Sequence, residues 1–403
     1  MYIVRTAETI LKRCLDQFPA TAVTGPRQTG KSTLLKKALP HFKYCTLDDL
    51  AVRKEATEAP EKLLDRLGEP LILDEIQYAP ELLTNIKVRI DNDRAKCGRF
   101  VVTGSQQFPL MKGLGDSLAG RVAIFELMPF DVNESESPEL RKGKNRSTRS
   151  LFADACLKGS YPEPCINEGM ERALWYTEYL RTYIERDVRA FSNIHLVRDF
   201  ERFLYVCAAR CGNLVNYADM SRSLGVDVNT VRNWVSVLEA SRIVFLLTPY
   251  FQNVTKRFVK APKLYFTDCG LLSHLLGITD ETQLMENPLA GALFENFCVQ
   301  EALKTYLHRG KMPRMFFFRS RTGVEVDMLV SGPGLSLYPI EFKLTDKPKS
   351  ADADGVRSYL GLNPKSDIRS GQIVCLSETG GPLTKDSAVV PFRDYIRWLE
   401  TVV

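Results

Sequence analysis

The strongest constraint on this chain is a glycine-rich run at residues 25–32, GPRQTGKS. It matches G-x-x-x-x-G-K-[ST] in full, follows a strand-like run at residues 20–24 and opens a helical pattern at residues 31–38. Glycine permits positive φ, so successive backbone N–H groups can turn toward phosphate oxygens, and the helix N-terminus adds its dipole. The run therefore predicts an ATP site at the end of a strand in a parallel α/β sheet.

Two parts of the sequence supply the residues expected at this site. Lys31 is expected to reach the β- and γ-phosphates, and the Ser32 hydroxyl to ligate Mg²⁺. The apolar run 71–73 ends in Asp74, expected in the Mg²⁺ shell, and Glu75, expected to polarise the attacking water. Strand ends often carry an acidic residue at a helix start, but the pairing with the loop favours the metal site. The predicted nucleotide-binding residues are Gly25, Pro26, Arg27, Gln28, Thr29, Gly30, Lys31, Ser32, Thr33, Asp74 and Ser105.

Two further features concern the chemistry of the phosphates. Residues 99–103 predict a strand beside the loop strand, so that Thr103 or Ser105 can touch the γ-phosphate or the water; an ordinary turn at Gly104 fits equally well. Arg121 precedes the last strand of this region. A guanidinium there suits charge stabilisation in phosphoryl transfer, in cis or across a subunit interface. Residue type alone favours a surface arginine without a catalytic role.

Changes in pattern along the chain predict several domains. Short apolar runs alternate with helical ones up to about residue 127, and the polar stretch 133–150 predicts a loop or linker. We therefore expect an α/β multidomain protein with a parallel-sheet P-loop domain at 1–135 and a linker and helical connector at 136–200. A winged-helix domain is expected at 201–285, and a further α/β domain at 286–403.

The middle of the chain has the pattern of a helix–turn–helix. Residues 217–224 and 229–240 form the two helical patterns, with Gly225 in the turn. Asn229, Thr230, Arg232 and Asn233 face outward, and the expected wing strands carry Lys256, Arg257, Lys260 and Lys263. This surface suits DNA. The second helix has only one outward basic residue, so a packing or protein-contact role fits the pattern as well.

The C-terminal region predicts an α-β-β-β-α-β order that carries a set of acidic residues and one lysine. Glu295 lies on the helix, Asp327 on the second strand, and Glu341 and Lys343 on the third, where positions i and i+2 share a face. Asp327 and Glu341 are expected to hold Mg²⁺ and orient a water onto a phosphodiester, with Lys343 beside them. Solvated strand faces often carry such residues, and Glu325 is an alternative ligand nearby. The order and spacing resemble the core of the PD-(D/E)xK nuclease superfamily, which implies an α/β restriction-endonuclease-like domain at 286–403. Many members of that superfamily keep the fold without the chemistry.

The chain as a whole resembles prokaryotic AAA-type ATPases that end in a domain of unknown function. The resemblance includes residues 25–32, LDD at 47–49, LDEIQ at 73–77, TGS at 103–105 and LAGR at 118–121, and it extends to YLRTYIERD at 179–187 and FTDCGL at 266–271. It implies that Arg121 acts on a neighbouring subunit's nucleotide in an oligomer. It also implies importance for Asp268, for which the sequence supplies only a helix N-cap.

Composition excludes several classes of protein. The 403 residues carry 54 basic and 49 acidic side chains, a net charge of +5 that does not by itself indicate nucleic acid. No apolar run approaches the ~20 residues of a membrane span, and the N-terminus does not have the pattern of a signal peptide. Ten cysteines without a C-x-x-C pair indicate reduced thiols in a cytoplasmic protein.

These observations lead to two hypotheses. The first is an ATPase that uses ATP and Mg²⁺ and couples hydrolysis to DNA binding or processing. The second is a regulatory ATPase that switches protein partners or oligomeric state, with a non-catalytic nuclease-like domain.

Overall fold

The computed structural model describes residues 1–104, 118–141, 146–184, 197–250, 261–320, 323–364 and 367–403. The chain forms two compact units. The first contains residues 1–137, 161–163 and 306–311, and the second contains residues 138–160, 164–305 and 312–403.

The first unit is built on a parallel sheet with strand order β2-β3-β4-β1-β5. Its strands are β1 Ala20–Thr24, β2 Lys43–Thr46, β3 Leu71–Asp74, β4 Phe100–Thr103 and β5 Val122–Glu126. Its helices are α1 Glu8–Gln17, α2 Lys31–Ala38, α3 Leu50–Glu58, α4 Pro60–Leu67, α5 Leu82–Asn92 and α6 Val132–Ser135. The predicted alternation of strands and helices is confirmed, and β4 lies beside β1 as expected.

The sheet has an apolar core on each face because alternate strand residues point to opposite sides. On β3, Leu71 and Leu73 pack in one core and Ile72 in the other. Because both faces of the sheet are covered, its short apolar runs form buried strands. The polar residues of the predicted nucleotide site lie at the carboxyl ends of these strands and in the loops that follow them.

The prediction of a loop at 133–150 is wrong for much of that stretch. Residues 132–135 and 138–141 are helical, and a longer helix begins at Thr148. The side chains of Asp131 and Glu134 form a capping box, which supplies partners for the first N–H groups of α6. Local capping thus overrides the polar composition.

The remaining helices follow along the chain. They are α7 Pro138–Arg141, α8 Thr148–Leu157, α9 Pro162–Ile166, α10 Arg172–Tyr183, α11 Val197–Ala208, α12 Tyr217–Leu224, α13 Val228–Ala240, α14 Cys269–Leu275, α15 Glu281–Glu286, α16 Ala290–Leu307, α17 Asp354–Leu362 and α18 Phe392–Val402.

The predicted pair of helices in the middle of the chain is present. Gly225, at φ 72°, ends α12, and the Asp227 side chain caps α13 by accepting from the N–H of Asn229. The buried face of α13 includes Trp234, which packs edge-on against Phe200 of α11. Antiparallel strands β6 Val244–Leu247 and β7 Lys263–Phe266 follow. The winged-helix interpretation stays a prediction, and Lys256, Arg257 and Lys260 lie outside the described residues.

The second unit also contains a six-stranded mixed sheet with order β12-β13-β11-β10-β9-β8. Its strands are β8 Met315–Arg319, β9 Glu325–Ser331, β10 Leu337–Lys343, β11 Gly371–Cys375, β12 Gly381–Thr384 and β13 Ser387–Pro391. From α16 to β11 the main elements occur in the predicted α-β-β-β-α-β order. The β12–β13 pair and α18 were not predicted.

None of the ten cysteines is joined to another in a disulfide bond. No helix in the described ranges combines the length and apolar character that crossing a membrane requires.

Candidate functional site

The glycine-rich loop has the backbone that its sequence predicts. Gly25 has φ 131°, Gln28 60° and Gly30 87°, so three residues of the loop adopt positive φ. A Cβ atom at Gly25 would lie 2.2 Å from the carbonyl oxygen of Leu127, so only glycine fits there. The loop leads from the carboxyl end of β1 into α2, which begins at Lys31.

Lys31 is 7% exposed, and its ammonium lies against the loop. Its Nζ donates to the carbonyl oxygens of Gly25 at 2.9 Å and Pro26 at 2.6 Å. Thr29 is buried and its hydroxyl donates to the Pro26 carbonyl, whereas Thr33 is exposed. The loop therefore carries a fixed positive charge at its own backbone.

Ser32 and Asp74, the two predicted Mg²⁺ ligands of this site, are directly bonded. Ser32 Oγ donates to Asp74 Oδ2 at 2.6 Å. Tyr44 donates its hydroxyl to the same oxygen, and burial together with this bond raises the pKa of the phenol. Sequence reasoning missed Tyr44. Its only signal is its place on β2, where it pairs in register with Ile72.

The backbone of Glu75, directly after β3, adopts a left-handed conformation with φ 58° and ψ 45°. Its carboxylate accepts from the side-chain amide of Gln77. A non-glycine residue in this region costs free energy, and such conformations cluster at functional sites. The turn thus sets Glu75 at the carboxyl end of β3, beside Asp74.

Thr103 ends β4 and pairs in register with Val23 of the loop strand. Its side chain is fully buried, and its hydroxyl has no hydrogen-bond partner among the described residues. Its hydroxyl is thus a buried polar group near the carboxyl end of β4. The prediction for Ser105 falls outside the described residues.

Arg121 lies at the amino end of the strands, opposite the end at which the glycine-rich loop lies. Its carbonyl accepts from the N–H of Ala20, the first residue of β1, whereas the loop follows the last. At about 3.3 Å per residue, five strand residues span roughly 16 Å, farther than an arginine side chain reaches. Its guanidinium forms two bonds to Asp91, Nε–Oδ1 at 2.6 Å and Nη2–Oδ2 at 3.0 Å. The structure therefore excludes Arg121 from the nucleotide site of its own chain.

Arg5 is a functional candidate that sequence reasoning missed, because it precedes every recognisable motif. It is 4% exposed and donates to the carbonyls of Thr29 and Met128, each at 2.7 Å. Its Nε lies 3.0 Å from Glu134 Oε1. A buried guanidinium thus ties the phosphate loop to the segment after β5.

A buried group at Asp131, Glu134 and His308 continues this network. His308 Nδ1 lies 3.0 Å from Asp131 Oδ2, and its Nε2 accepts from the N–H of Met128. Burial would raise the pKa of Asp131, but hydrogen bonds, first among them that from His308, lower it well below its usual range. Because both ring nitrogens are engaged, the arrangement is structural, although its ligand types would suit a metal.

The C-terminal carboxylates come together in the second unit. β9 and β10 are antiparallel neighbours with Ile340 opposite Met328, so Asp327 and Glu341 are adjacent across the strands. Burial raises the pKa of Glu341 to about 9, and Asp327 adds to this rise, although Lys343 opposes it. Lys343 Nζ donates to Glu341 Oε2 at 2.8 Å.

Lys263 overturns part of the prediction for the wing. It is 4% exposed, and its Nζ lies 3.1 Å from Glu295 Oε1 and 2.7 Å from Glu325 Oε1. It was expected on a basic outer surface, but a lysine on a two-stranded ribbon can be drawn inward when carboxylates compensate its charge. Burial and Asp327 raise the pKa of Glu295 to about 7, against the opposing charge of Lys263.

A cleft of about 550 Å³ opens beside these residues. Asp327, Glu341 and Lys343 line it together with residues at the start of α17. A Cβ atom at Gly355 would lie 2.2 Å from Glu341 Oε1, so glycine lets the first turn of α17 close on the carboxylate.

Asp268 caps α14, as the sequence predicted, and also bonds to two distant residues. Its Oδ1 accepts from Tyr176 and from the N–H of Leu271, each at 2.7 Å. Its Oδ2 accepts from the N–H and hydroxyl of Ser160. The carboxylate is fully buried and joins α10, α14 and the turn at Ser160.

The outer face of α13 matches the prediction in part. Asn229, Arg232 and Asn233 are exposed, and Thr230 is half-buried. Arg232 lies 5.4 Å from the centre of the Tyr217 ring. This face remains available for contact, but Lys263 does not add charge to it.

Comparisons with known proteins identify the family to which this chain belongs. Residues 17–136 match the family described as AAA domain, and residues 149–282 and 290–395 match two domains of unknown function, DUF8612 and DUF4143. Rv2008c of Mycobacterium tuberculosis and Mb2031c of Mycobacterium bovis are each 32% identical over 347 residues, covering 85% of this chain and 74% of each relative. The chain belongs to the same family as these two proteins. With its AAA domain and P-loop, it is an AAA-type ATPase.

Solved structures resemble the AAA-type ATPase less closely. The Walker-type ATPase PABY2304 of Pyrococcus abyssi is 16% identical, with 67% of this chain and 94% of that chain covered and a TM-score of 0.45. A RuvB variant of Thermotoga maritima is also 16% identical, with coverages of 61% and 90% and a TM-score of 0.32. Nothing further follows from these likenesses.

Proposed function

We propose that this AAA-type ATPase hydrolyses ATP at the glycine-rich loop and couples the reaction to DNA binding or processing through its C-terminal part. The observation that carries the proposal is the bond between Ser32 Oγ and Asp74 Oδ2. It joins the two sequence motifs that must meet for ATP hydrolysis, although they are far apart in the chain.

The chemistry assigns a separate role to each group. Ser32 and Asp74 would hold Mg²⁺, which would supply positive charge to the bound phosphates. Lys31 binds the same phosphates, and the buried Thr103 hydroxyl donates to the γ-phosphate or the water. Glu75 orients the water, whose oxygen bonds to the γ-phosphorus while the bond to the bridging oxygen breaks and ADP leaves. The proton of the water passes toward Glu75.

The remaining charge would come from Arg121 of a neighbouring subunit. Because Arg121 is too far from the loop of its own chain, it can act only on the nucleotide of another subunit. Such a role in trans implies a homo-oligomer. Asp91 holds the guanidinium in a two-bond geometry until a nucleotide competes for it.

Phosphate release from ATP tests the first part of the proposal. The Lys31→Ala variant should lose turnover, whereas Lys37→Ala, an exposed lysine on the same helix, should keep it. Unchanged turnover in Lys31→Ala would refute hydrolysis at this loop.

The donors at the C-terminal carboxylates fit a divalent cation. Asp327 and Glu341 occupy adjacent positions on β9 and β10, and the high pKa of Glu341 reflects its burial first and the neighbouring Asp327 carboxylate second. Both would hold Mg²⁺, which activates a water toward a phosphodiester. Lys343, next to Glu341, would stabilise the phosphate charge.

Plasmid cleavage with Mg²⁺ or Mn²⁺, with and without ATP, tests this second part. Wild type should cut, and Asp327→Ala should not, while Asp394→Ala, an exposed aspartate on α18, serves as the matched control. Dependence on ATP would link the two sites. An absence of cleavage in every condition would remove the nuclease part.

A regulatory ATPase with a non-catalytic C-terminal domain is the second candidate. The burial of Lys263 favours it, because one basic residue expected on the DNA-contacting wing is neutralised inside the protein. A nucleotide-dependent change in mass without DNA binding at physiological salt would support this alternative.

A further inference from the structure

Lys263 is a cation brought to the C-terminal carboxylates from outside their α-β-β-β-α-β frame. It lies on β7, in the segment before α16. Its backbone pairs with Leu247 on one side and Leu214 on the other, so the strand is held from both edges. The backbone position of Lys263 is therefore fixed, and Lys263 is not a flexible surface lysine.

Three carboxylates converge on its ammonium group. Nζ lies 2.7 Å from Glu325 Oε1, 3.1 Å from Glu295 Oε1 and 3.9 Å from Asp327 Oδ1. Tyr265, two residues along the same strand, donates its hydroxyl to the same oxygen of Glu295. The three carboxylates come from two elements, α16 and β9, and several oxygen donors around one cation are also the arrangement that a divalent ion requires.

The charges in this region are divided between two places. Lys343 lies against Glu341, on the cleft side where Asp327 also faces. Lys263 meets a different pair of carboxylates, Glu295 and Glu325, and its Nζ also lies 3.9 Å from Asp327 Oδ1. The oxygens of Glu295, Glu325 and Asp327 are thus already supplied with a cation by the protein's own ammonium.

We infer that Lys263 occupies the place of a second divalent ion, so that the site takes one ion, at Asp327 and Glu341. The inference rests on the metal site proposed above. It makes Lys263 a residue that sets the metal stoichiometry, and it predicts one-ion rather than two-ion chemistry in the cleft.

Counting bound Mn²⁺ tests the inference on the full chain without nucleotide. Free Mn²⁺ is measured by electron paramagnetic resonance for wild type, Asp327→Asn and Lys263→Met. Wild type should bind one ion more than Asp327→Asn, and Lys263→Met one ion more than wild type. Lys304→Met is the matched control, because Lys304 is a buried lysine paired with Glu301 elsewhere in the same unit, and its count should equal that of wild type.

The outcomes separate the inference from the proposed function. If wild type exceeds Asp327→Asn but Lys263→Met equals wild type, the inference fails and the metal site stands. If wild type equals Asp327→Asn, the proposed metal site fails. In that case a gain in Lys263→Met would still show that Lys263 excludes an ion, and no gain would overturn both.

Stability measurements cover the case in which Lys263→Met folds poorly. The double variant Lys263→Met/Glu295→Gln removes one charge of each sign and should fold with the wild-type count. Mn²⁺ should raise the melting temperature of Lys263→Met more than that of wild type, since an ion that binds only the folded state stabilises it. Equal shifts, or a Lys263→Met chain that Mn²⁺ does not restore, would overturn the inference.

Discussion

Arg5 donates through Nη1 to the carbonyl oxygen of Thr29 at 2.7 Å. The bond links a residue near the N-terminus to the middle of the phosphate loop. Because Arg5 also bonds to Met128 and Glu134, the loop is held by a buried group that makes no predicted contact with the nucleotide. The loop geometry therefore depends on a residue outside the matched AAA domain at residues 17–136.

Replacing Arg5 should weaken nucleotide binding. Arg5→Ala should raise the Kd for ATP by about tenfold, equivalent to ~1.4 kcal/mol, because the Thr29 carbonyl loses its fixed donor. Arg5→Lys should restore part of the affinity. Isothermal titration calorimetry gives the Kd directly.

Arg99 is the matched control for that experiment. It is a buried arginine in the same unit and pairs with Glu69 through Nε–Oε2 at 2.6 Å, at the amino end of β4. Arg99→Ala should lower the melting temperature and leave the Kd for ATP unchanged. An equal loss of affinity in both variants would mean that Arg5 acts only on global stability.

Glu75→Gln should separate binding from hydrolysis. The amide keeps the size of the side chain but cannot take the proton of the water, so kcat should fall by about 10²–10⁴-fold while ATP still binds. Single-turnover phosphate release and equilibrium binding measure the two effects. Wild-type kcat in this variant would remove Glu75 from the chemistry.

Mixing two inactive variants tests the action of Arg121 in trans. Lys31→Ala and Arg121→Ala should each lose activity, with the arginine worth roughly 10³-fold or more in kcat. A mixture should recover activity, because an intact loop can meet an intact arginine from another subunit. Arg66→Ala, which breaks a comparable exposed pair with Glu55, should behave as wild type. Absence of recovery would contradict action in trans.

Glu295 should make the metal-free protein less stable as the pH rises. Its pKa is raised in the folded state from 4.5 to about 7, so the folded state binds more protons than the unfolded state in this window. Between these values stability should fall by up to about 1.4 kcal/mol per pH unit from this group, and the loss is complete above the folded pKa. Denaturant unfolding in EDTA should therefore show a weaker pH dependence for Glu295→Gln. Parallel curves for the variant and wild type would refute the shift.

The sequence predicted those features that depend on short stretches of chain. The loop at residues 25–32, the sheet around it and the element order from α16 to β11 all follow from local spacing and alternation of apolar residues. The adjacency of Asp327 and Glu341 could also be anticipated, since neighbouring strands bring their shared faces together.

Other features depend on contacts between distant parts of the chain. Nothing near Tyr44, Arg5 or Lys263 in the sequence indicates a carboxylate or carbonyl partner, because each partner lies far along the chain. Lys263 was misplaced for this reason: a lysine on a strand is usually solvated, and only the carboxylates gathered by folding make its burial favourable.

Sequence alone thus determined which chemical groups the protein carries and which local elements hold them, because backbone propensity and apolar spacing act over a few residues. Tertiary structure decided which of these groups meet. It brought Ser32 into hydrogen-bonding contact with Asp74, and Lys263 into contact with carboxylates. It also placed Arg121 at the amino end of the strands, away from the loop of its own chain. The physical reason is that strand direction, register and the compensation of buried charge depend on the whole folded chain.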